Sequence, residues 1–499
     1  MTVVNEIRKG FYLDSVALMR ISRSIVAMPG VEEAGLMIGT PANKQILREA
    51  DVLNSVGESA APGDLIIAVR ATTEAAAQAG LAEAASLLDA PRRTSAGTAW
   101  RPRTLRTAQA QMPDLSMALI SVPGDFAAAE ALKAIRSGLD VMIFSDNVPV
   151  AQEVELKREA RTLGRLVMGP DCGTAIIGGV PLAFANVVPT GDIGIIGASG
   201  TGIQEIACLI ARLGSGVSHA IGTGGRDLKQ EVGGITTLMA LDLLDADPAT
   251  KHIVIVSKPP AAEVAKAVLA RVATSAKPFT ICFLGGDGMA MPGNAKAAST
   301  LKQAAELSVG KALSGESATG LPKPKVRKGA KLLRGLYSGG TLCAEAQVVL
   351  LGHQLEVVSN VPVPGAKALG DVPAEHALID HVLIDLGDDA FTRGRPHPMI
   401  EPAVRDAPLI EALGDANVAA ILIDIVLGYG GHADPAGHLA QVLGSRAGKG
   451  GPAIIASVTG TSGDPQGLAA QTAALVAAGV TVCPSNADAA RLAAEIIKS

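Results

Sequence analysis

The sequence predicts an α/β protein. Several doubly wound, Rossmann- or flavodoxin-like parallel-sheet domains follow a small N-terminal α+β domain. Three observations carry this expectation. Short, near-continuous apolar runs recur from Leu115 onward, the pattern of strands buried on both faces. Most segments between them are long enough for a crossover helix. Glycine, with 56 copies in 499 residues, repeatedly follows an apolar run, where a strand must turn sharply into a helix.

In chain order, residues 1–88 read as the small domain. Ser15–Val26 and Thr73–Leu88 have helical patterns, and Ala34–Ile38 and Asp64–Val69 read as strands. Residues 89–114 hold Arg92, Arg93, Arg101, Arg103 and Arg106 without apolar periodicity, so they read as a basic linker. Residues 115–189 form one Rossmann-like half, with strands near Leu115–Val122, Val141–Phe144 and Leu166–Met168. Residues 190–311 form a flavodoxin-like domain, with strands near Asp192–Ile196, His252–Val256 and Thr280–Leu284. Residues 312–331, rich in Gly, Ser, Pro and Lys, read as a second linker. Residues 332–499 repeat the rhythm, with strands at Leu332–Tyr337, His381–Asp385, Ala419–Ile425, Ala453–Val458 and Val480–Cys483.

Composition excludes several classes. Lys plus Arg number 43 against 48 Asp plus Glu, a net charge of −5, which argues against a nucleic-acid binder. Aromatic residues make up 2% of the chain, too few for stacking platforms on single strands. No apolar run reaches the ~18–20 residues of a membrane span. Glu6, Arg8, Lys9 and Asp14 interrupt the first twenty residues, so no signal-peptide core is expected there. The five cysteines are far apart, which disfavours a disulfide framework or a zinc site. A cytoplasmic protein that binds no metal is expected.

The strongest local signal is Gly197-Ala198-Ser199-Gly200-Thr201-Gly202 between an apolar strand and a helix. Free backbone N–H groups and the positive end of a helix dipole make such a turn a ready anion site. It lacks the lysine of a Walker A loop, and the bland alternative is a turn that needs glycine for packing. Ser338-Gly339-Gly340-Thr341 repeats the pattern after Leu332–Tyr337. Two such turns suggest two helix ends facing one site. Asp146 and Asp171 follow other apolar runs, at the strand edge where open α/β sheets bind ligands. Helix capping by Asp146, and a rigid turn at Asp171, are the structural alternatives. Cys172 has no neighbouring histidine to activate it and reads as a buried or site-lining thiol. Arg226 in a Gly-rich loop, and Arg393 and Arg395 beside Asp385, Asp388, Asp389 and His397, are candidate oxyanion clamps; a surface loop and surface ion pairs are the alternatives. His432 in a Gly-rich loop is as readily a loop residue as a ligand contact. The remaining histidines lack ligand spacing.

These residues carry a resemblance. Residues 115–311, with Gly169-Pro170-Asp171-Cys172 and the Ser199-Gly200-Thr201 turn, resemble the α subunit of succinyl-CoA synthetase. Residues 332–499 resemble the C-terminal ligase domain of its β subunit. With Gly39-Thr40-Pro41-Ala42-Asn43-Lys44, Phe144-Ser145-Asp146-Asn147, Val256-Ser257-Lys258-Pro259-Pro260 and Asp385-Leu386-Gly387-Asp388-Asp389, the whole chain is similar to the FdrA family. That resemblance implies one subunit of an oxamate carbamoyltransferase in ureide breakdown, which interconverts oxalurate plus phosphate with oxamate plus carbamoyl phosphate.

Departures from true synthetases sharpen the expectation. Gly293-Asn294-Ala295-Lys296 stands where the synthetases carry a phosphohistidine in Gly-His-Ala-Gly. An amide nitrogen cannot accept a phosphoryl group as imidazole does. Lys258 aligns with the glutamate that orients that histidine. Ser199, Gly200, Thr201, Ser338, Gly340 and Thr341 are therefore expected to hold a phosphate or phosphoryl group. Lys258 is expected to neutralise developing charge, and Asn294 to donate a hydrogen bond to a substrate oxygen. CoA or a nucleotide is implied by the superfamily alone. A small anionic substrate, further protein subunits and an oligomer are the expected partners. The rival functions are an ADP-forming acyl-CoA ligase subunit with a relocated phosphoryl acceptor, and a non-catalytic anion sensor.

Overall fold

A computed structural model describes all residues except 12, 14, 90–101, 287, 314–326, 328, 372–379, 393–395 and 445–450. The chain divides into two compact units, Met1–Asp114 with Asp389–Pro396, and Leu115–Asp388 with His397–Ser499.

In the first unit β1 (Thr2–Arg8), β2 (Val31–Ile38) and β3 (Leu65–Ala71) form an antiparallel sheet in the order β1-β3-β2. Successive β3 residues point to opposite faces, and both faces are covered. Leu65, Ile67 and Val69 pack with Leu18 and Ile25 of α1 (Ser15–Val26) and Leu81, Ala84 and Leu88 of α2 (Glu74–Asp89). Ile66 and Ala68 meet Leu47, Val52 and Ala60 on the other side. β1 escapes a search for apolar runs because Asn5, Glu6 and Arg8 interrupt it, yet it pairs along the whole of β3. A short helix, Leu105–Gln111, closed by a Thr104–Thr107 capping box, lies in the segment read as a basic linker; residues 90–101 of that segment, with Arg92, Arg93 and Arg101, lie outside the described residues.

The second unit holds three sheets. β4 (Met117–Ile120), β5 (Asp140–Ile143) and β6 (Val167–Met168) form a small parallel sheet. The next sheet has the order β13-β12-β11-β9-β10-β7-β8. Its strands are β7 (Thr174–Ile177), β8 (Val180–Ala183), β9 (Thr190–Gly197), β10 (Val217–Gly222), β11 (His252–Ser257), β12 (Phe279–Phe283) and β13 (Ala295–Ala297). The third has the order β16-β15-β17-β14-β18-β19-β20 and is parallel throughout. Its strands are β14 (Leu332–Tyr337), β15 (Val357–Ser359), β16 (Lys367–Ala368), β17 (His381–Asp385), β18 (Val418–Val426), β19 (Ala453–Thr459) and β20 (Thr481–Cys483). The expectation of doubly wound parallel sheets holds, with one exception: β7 and β8 form an antiparallel hairpin on the edge of the second sheet.

One apolar core joins the two larger sheets. Two helices lie inside it, α3 (Gly200–Arg212) and α4 (Gly340–Gly352). Ile203, Ile206 and Ile210 of α3 share it with Leu342, Ala346 and Leu350 of α4. Every α3 residue from Thr201 to Ile210 is buried, as expected of a helix apolar on all sides. Burial of both helices fixes where their first turns lie.

A second buried feature braces the strand edge near the first of these turns. Lys157, on the helix Val150–Thr162, is fully buried. Its Nζ donates to Glu153 Oε1 at 2.9 Å, Asp227 Oδ1 at 2.8 Å and the Thr223 carbonyl at 3.0 Å. Asp227 also accepts from the Thr236 and Thr237 backbone N–H groups. Removing one charge from such a network leaves the others buried without a counter-charge. Lys157→Met is expected to cost about 3–5 kcal/mol, seen as a lower urea midpoint for the second unit, while Lys133→Met on the surface changes it little.

Candidate functional site

The site forms where β9 runs into α3 and β14 runs into α4. Ser199 caps α3 and Gly339 caps α4, and neither makes a side-chain capping bond to its own helix. Instead the two turns meet. Ser199 Oγ and Thr341 Oγ1 share a hydrogen bond. A side chain at Gly202 would begin 3.0 Å from Thr341 Cγ2, and one at Gly339 would begin 2.9 Å from Thr201 Oγ1. Glycine at these two positions leaves room for the threonine side chain of the facing turn. The uncapped first-turn N–H groups and the positive ends of both dipoles therefore share one place. The structure brings Ser199, Gly200, Thr201, Ser338, Gly340 and Thr341 together, as the two repeated turns predicted.

Buried carboxylates hold the turns from below. Asp424, on β18, accepts from the Ser338 and Gly339 backbone N–H groups, both at 2.7 Å. Arg405 donates to Asp424 Oδ1 at 2.7 Å and to Ser338 Oγ. One turn further along each helix stand Glu205 and Glu345, at equal spacing from Gly200 and Gly340. Asn486 links them: its backbone N–H donates to Glu205 Oε1 at 3.4 Å, and its Nδ2 to Glu345 Oε2 at 2.7 Å. Thr459 Oγ1 also donates to Glu205. Burial raises both carboxyls, and with the Glu205 charge added it pushes Glu345 up to about 8.

Three further groups border the turns. Asp385 ends β17, and its Oδ2 lies 2.4 Å from where a Gly340 side chain would begin. Its Oδ1 accepts from the Gly387 N–H at 2.9 Å. Burial pushes the Asp385 carboxyl up to about 7 against the pull of the Lys258 cation, with the charges of Asp388 and Asp424 adding to the rise. Lys258 follows β11 and is exposed. The His397 ring accepts from the Met399 N–H on Nδ1 at 3.2 Å, and burial lowers its pKa to about 4. The imidazole is therefore neutral with its proton on Nε2. The Phe184 ring lies 6.4 Å from the His397 ring and 5.5 Å from the Phe144 ring, forming an apolar wall. The Phe184 carbonyl accepts from Thr174 Oγ1 at 2.6 Å, and that hydroxyl lies 2.9 Å from where a Gly200 side chain would begin.

Other expected residues fall elsewhere. Arg226 is committed to the buried network, with Nε 3.0 Å from Glu153 Oε2 and Nη2 donating to the Val148 carbonyl at 2.8 Å. It is not a free clamp, because that network needs its charge. Asn294 lies at the opposite edge of the sheet. Its Nδ2 donates to the carbonyls of Val272, Ser275 and Lys277 at 2.9, 3.0 and 3.2 Å. Its own carbonyl accepts from Phe279, the first residue of β12, whereas Ser199 and Lys258 follow the carboxyl ends of their strands. The expected catalytic role of Asn294 is thus corrected to a tie between loops. Asp171 lies beside the Ser199 turn: its Oδ2 and the Ala198 carbonyl are 4.0 and 3.9 Å from where a Gly225 side chain would begin. Asp146 is exposed at the end of β5. Cys172 is buried, and burial pushes its thiol up to about 12, so it holds no thiolate. Arg393 and Arg395 lie outside the described residues.

Sequence reasoning missed Asp424, Arg405, Glu205, Glu345 and Phe184. One signal for two of them is legible in retrospect: Gly-Thr-x-x-x-Glu occurs at both 200–205 and 340–345.

Comparison with known proteins shows which families the domains resemble. Residues 336–496 match the CoA-ligase family and residues 189–285 the CoA binding domain family. Residues 1–102 match the AllF, heavy metal-associated domain family. The uncharacterized protein YahF of Escherichia coli is 39% identical over 515 residues, covering 100% of this chain and 99% of that one. The ADP-forming sulfoacetate-CoA ligase subunit SauD of Bilophila wadsworthia is 29% identical over 180 residues, 34% of this chain and 59% of its own. The α subunit of an ADP-forming succinate–CoA ligase from Methanothermobacter thermautotrophicus is 28% identical over 148 residues, 29% of this chain and 49% of its own. The chain thus spans only half to three-fifths of these two ligase subunits. Residues 1–102 contain neither Cys nor His, the thiolate and imidazole donors that hold soft metals. A heavy-metal site therefore does not fit this domain. Among the described residues no group of three His, Cys, Asp or Glu side chains is placed to hold a metal, and no helix is long and apolar enough to cross a membrane.

Two outcomes follow from the geometry. Gly340→Ala places a methyl group against the Asp385 carboxylate and should cost about 1–3 kcal/mol, measured by thermal unfolding. Carbon-13 NMR of labelled Asp385 should show a midpoint near 7. Lys258→Ala should move that midpoint upward, because the cation favours the charged carboxylate.

Proposed function

We propose that this chain, which belongs to the same family as Escherichia coli YahF and carries CoA-binding and CoA-ligase domains, is the carbamoyl- or acyl-phosphate-handling subunit of a transferase. Oxalurate plus phosphate, exchanged with oxamate plus carbamoyl phosphate, is the reaction in view. One observation carries the reading: two helix ends without side-chain caps meet through Ser199 and Thr341, with an exposed cation, Lys258, at the next strand end. In this reading the first-turn N–H groups and the Ser199 and Thr341 hydroxyls bind the phosphate oxygens. Lys258 offsets the charge that develops on them. Attack of phosphate on a ureido carbonyl needs positioning and charge stabilisation more than a protein nucleophile. This reading needs no phosphohistidine relay, and Asn294, the position to which the synthetase resemblance pointed, lies away from both helix ends. Further subunits belong to the proposal, because the matched ligases are themselves named as subunits.

A second reading is an ADP-forming acyl-CoA ligase subunit, favoured by the same two family matches. CoA or a nucleotide would then be its cofactor. Labelled ATP would leave an acid-labile phosphoprotein in that case and none in the first.

The deciding assay measures carbamoyl phosphate from oxalurate and phosphate, with the chain alone and with the products of neighbouring genes. Lys258→Ala is expected to lower turnover by about 10²–10³ while thermal unfolding stays unchanged. Unchanged turnover would remove Lys258 from the mechanism. Ligand binding without turnover in any mixture would instead mark an anion-sensing subunit.

A further inference from the structure

The mechanism so far supplies an anion site but no proton. Transfer from a ureido donor breaks a carbon–nitrogen bond, and an amide anion is a very poor leaving group, so the nitrogen must be protonated as it departs. Among the groups bordering the helix ends, Arg405 and Asp424 are committed to each other. Glu205 and Glu345 lie a turn deeper, held by Asn486. Cys343 is fully buried. Asp385 differs. Among the described residues its Oδ1 takes one hydrogen bond, from Gly387, and its Oδ2 takes none. Its Oδ2 rests against Gly340, in the first turn of α4. The groups that face it are Lys258 after β11, Cys343 on α4, Asp388 in the following loop, Asp424 on β18 and His397.

We propose that Asp385 is the general acid of this site, giving the proton on Oδ2 to the nitrogen that leaves the ureido donor. The inference rests on the transferase reading above and assigns its proton transfer. A phosphate oxygen attacks the ureido carbonyl carbon, and the carbonyl π electrons move onto its oxygen, facing the helix ends. As the carbonyl re-forms, the carbon–nitrogen bond breaks and its electron pair takes the Asp385 proton. The carboxylate then regains a proton from the hydroxyl of the transferred phosphate, so no proton is gained or lost overall. Neutral His397 presents a second donor, Nε2–H. That nitrogen and Asp385 Oδ1 lie 2.6 and 3.2 Å from where a Gly387 side chain would begin, so the two groups crowd the same glycine. The carboxyl is neutral in a useful fraction near pH 7 because burial opposes its ionisation.

The test compares the wild type and Asp385→Asn, each assembled with its partner subunits, using oxalurate and phosphate from pH 5.5 to 8.5. A general acid works only when protonated, so wild-type kcat should fall as pH rises through about 7. Asp385→Asn should lower kcat by about 10²–10⁴, lose that falling limb, and keep phosphate binding within threefold by calorimetry. Asp385→Glu, used if the amide variant unfolds, should keep a falling limb at reduced rate. An Asp385→Asn enzyme within tenfold of wild type, or one that keeps the limb, would overturn the assignment and leave the transferase reading standing. A wild-type assembly that makes no carbamoyl phosphate would overturn the transferase reading, and this assignment with it.

Discussion

The second unit is organised around one constraint: two helix amino ends are pressed together inside a protein core. Like dipole ends repel, and their N–H groups lack partners. The fold counters this with geometry and with buried negative charge. Glycines 202 and 339 leave room for the Thr341 and Thr201 side chains of the facing turn, and Ser199 and Thr341 join across the gap. Asp424 takes up two backbone N–H groups, and Arg405 balances its charge. One turn deeper, Asn486 links Glu205 to Glu345 and so ties the two helices together. An uncapped, positively polarised spot facing the strand edge is what remains, and an anion is the natural complement to it.

Two sheets had to be brought together to build that spot. Neither helix end alone distinguishes a ligand site from a tight turn. Their meeting depends on the shared apolar core, in which α3 and α4 pack as buried helices. Chemistry then enters from the neighbouring strand ends. β11 brings Lys258, β17 brings Asp385, and Phe184 and His397 wall the edge. This agrees with the rule that open α/β sheets use the carboxyl ends of their strands.

The relationship to CoA ligases is clear in the domains. The chain matches the CoA-ligase and CoA-binding families, while Asn294, which the synthetase resemblance led us to expect at the substrate, ties loops at the far edge of its sheet. Residues 1–102 match a heavy metal-associated domain and contain neither Cys nor His.

The sequence by itself determined the α/β class, the parallel strands and both anion-type turns, because apolar runs and Gly-rich turns are local signals. It did not reveal β1, whose interrupted pattern becomes a strand only beside β3, nor the β7–β8 hairpin on the sheet edge. It placed Arg226 and Asn294 in the site because charge and motif position say nothing about what a side chain will touch. Tertiary structure alone decided that Arg226 serves a buried network, that Asp424 and Arg405 brace the turns, and that Asp385 stands beside Gly340. Those contacts join residues tens of positions apart, and burial, which sets their charge states, exists only in the folded chain.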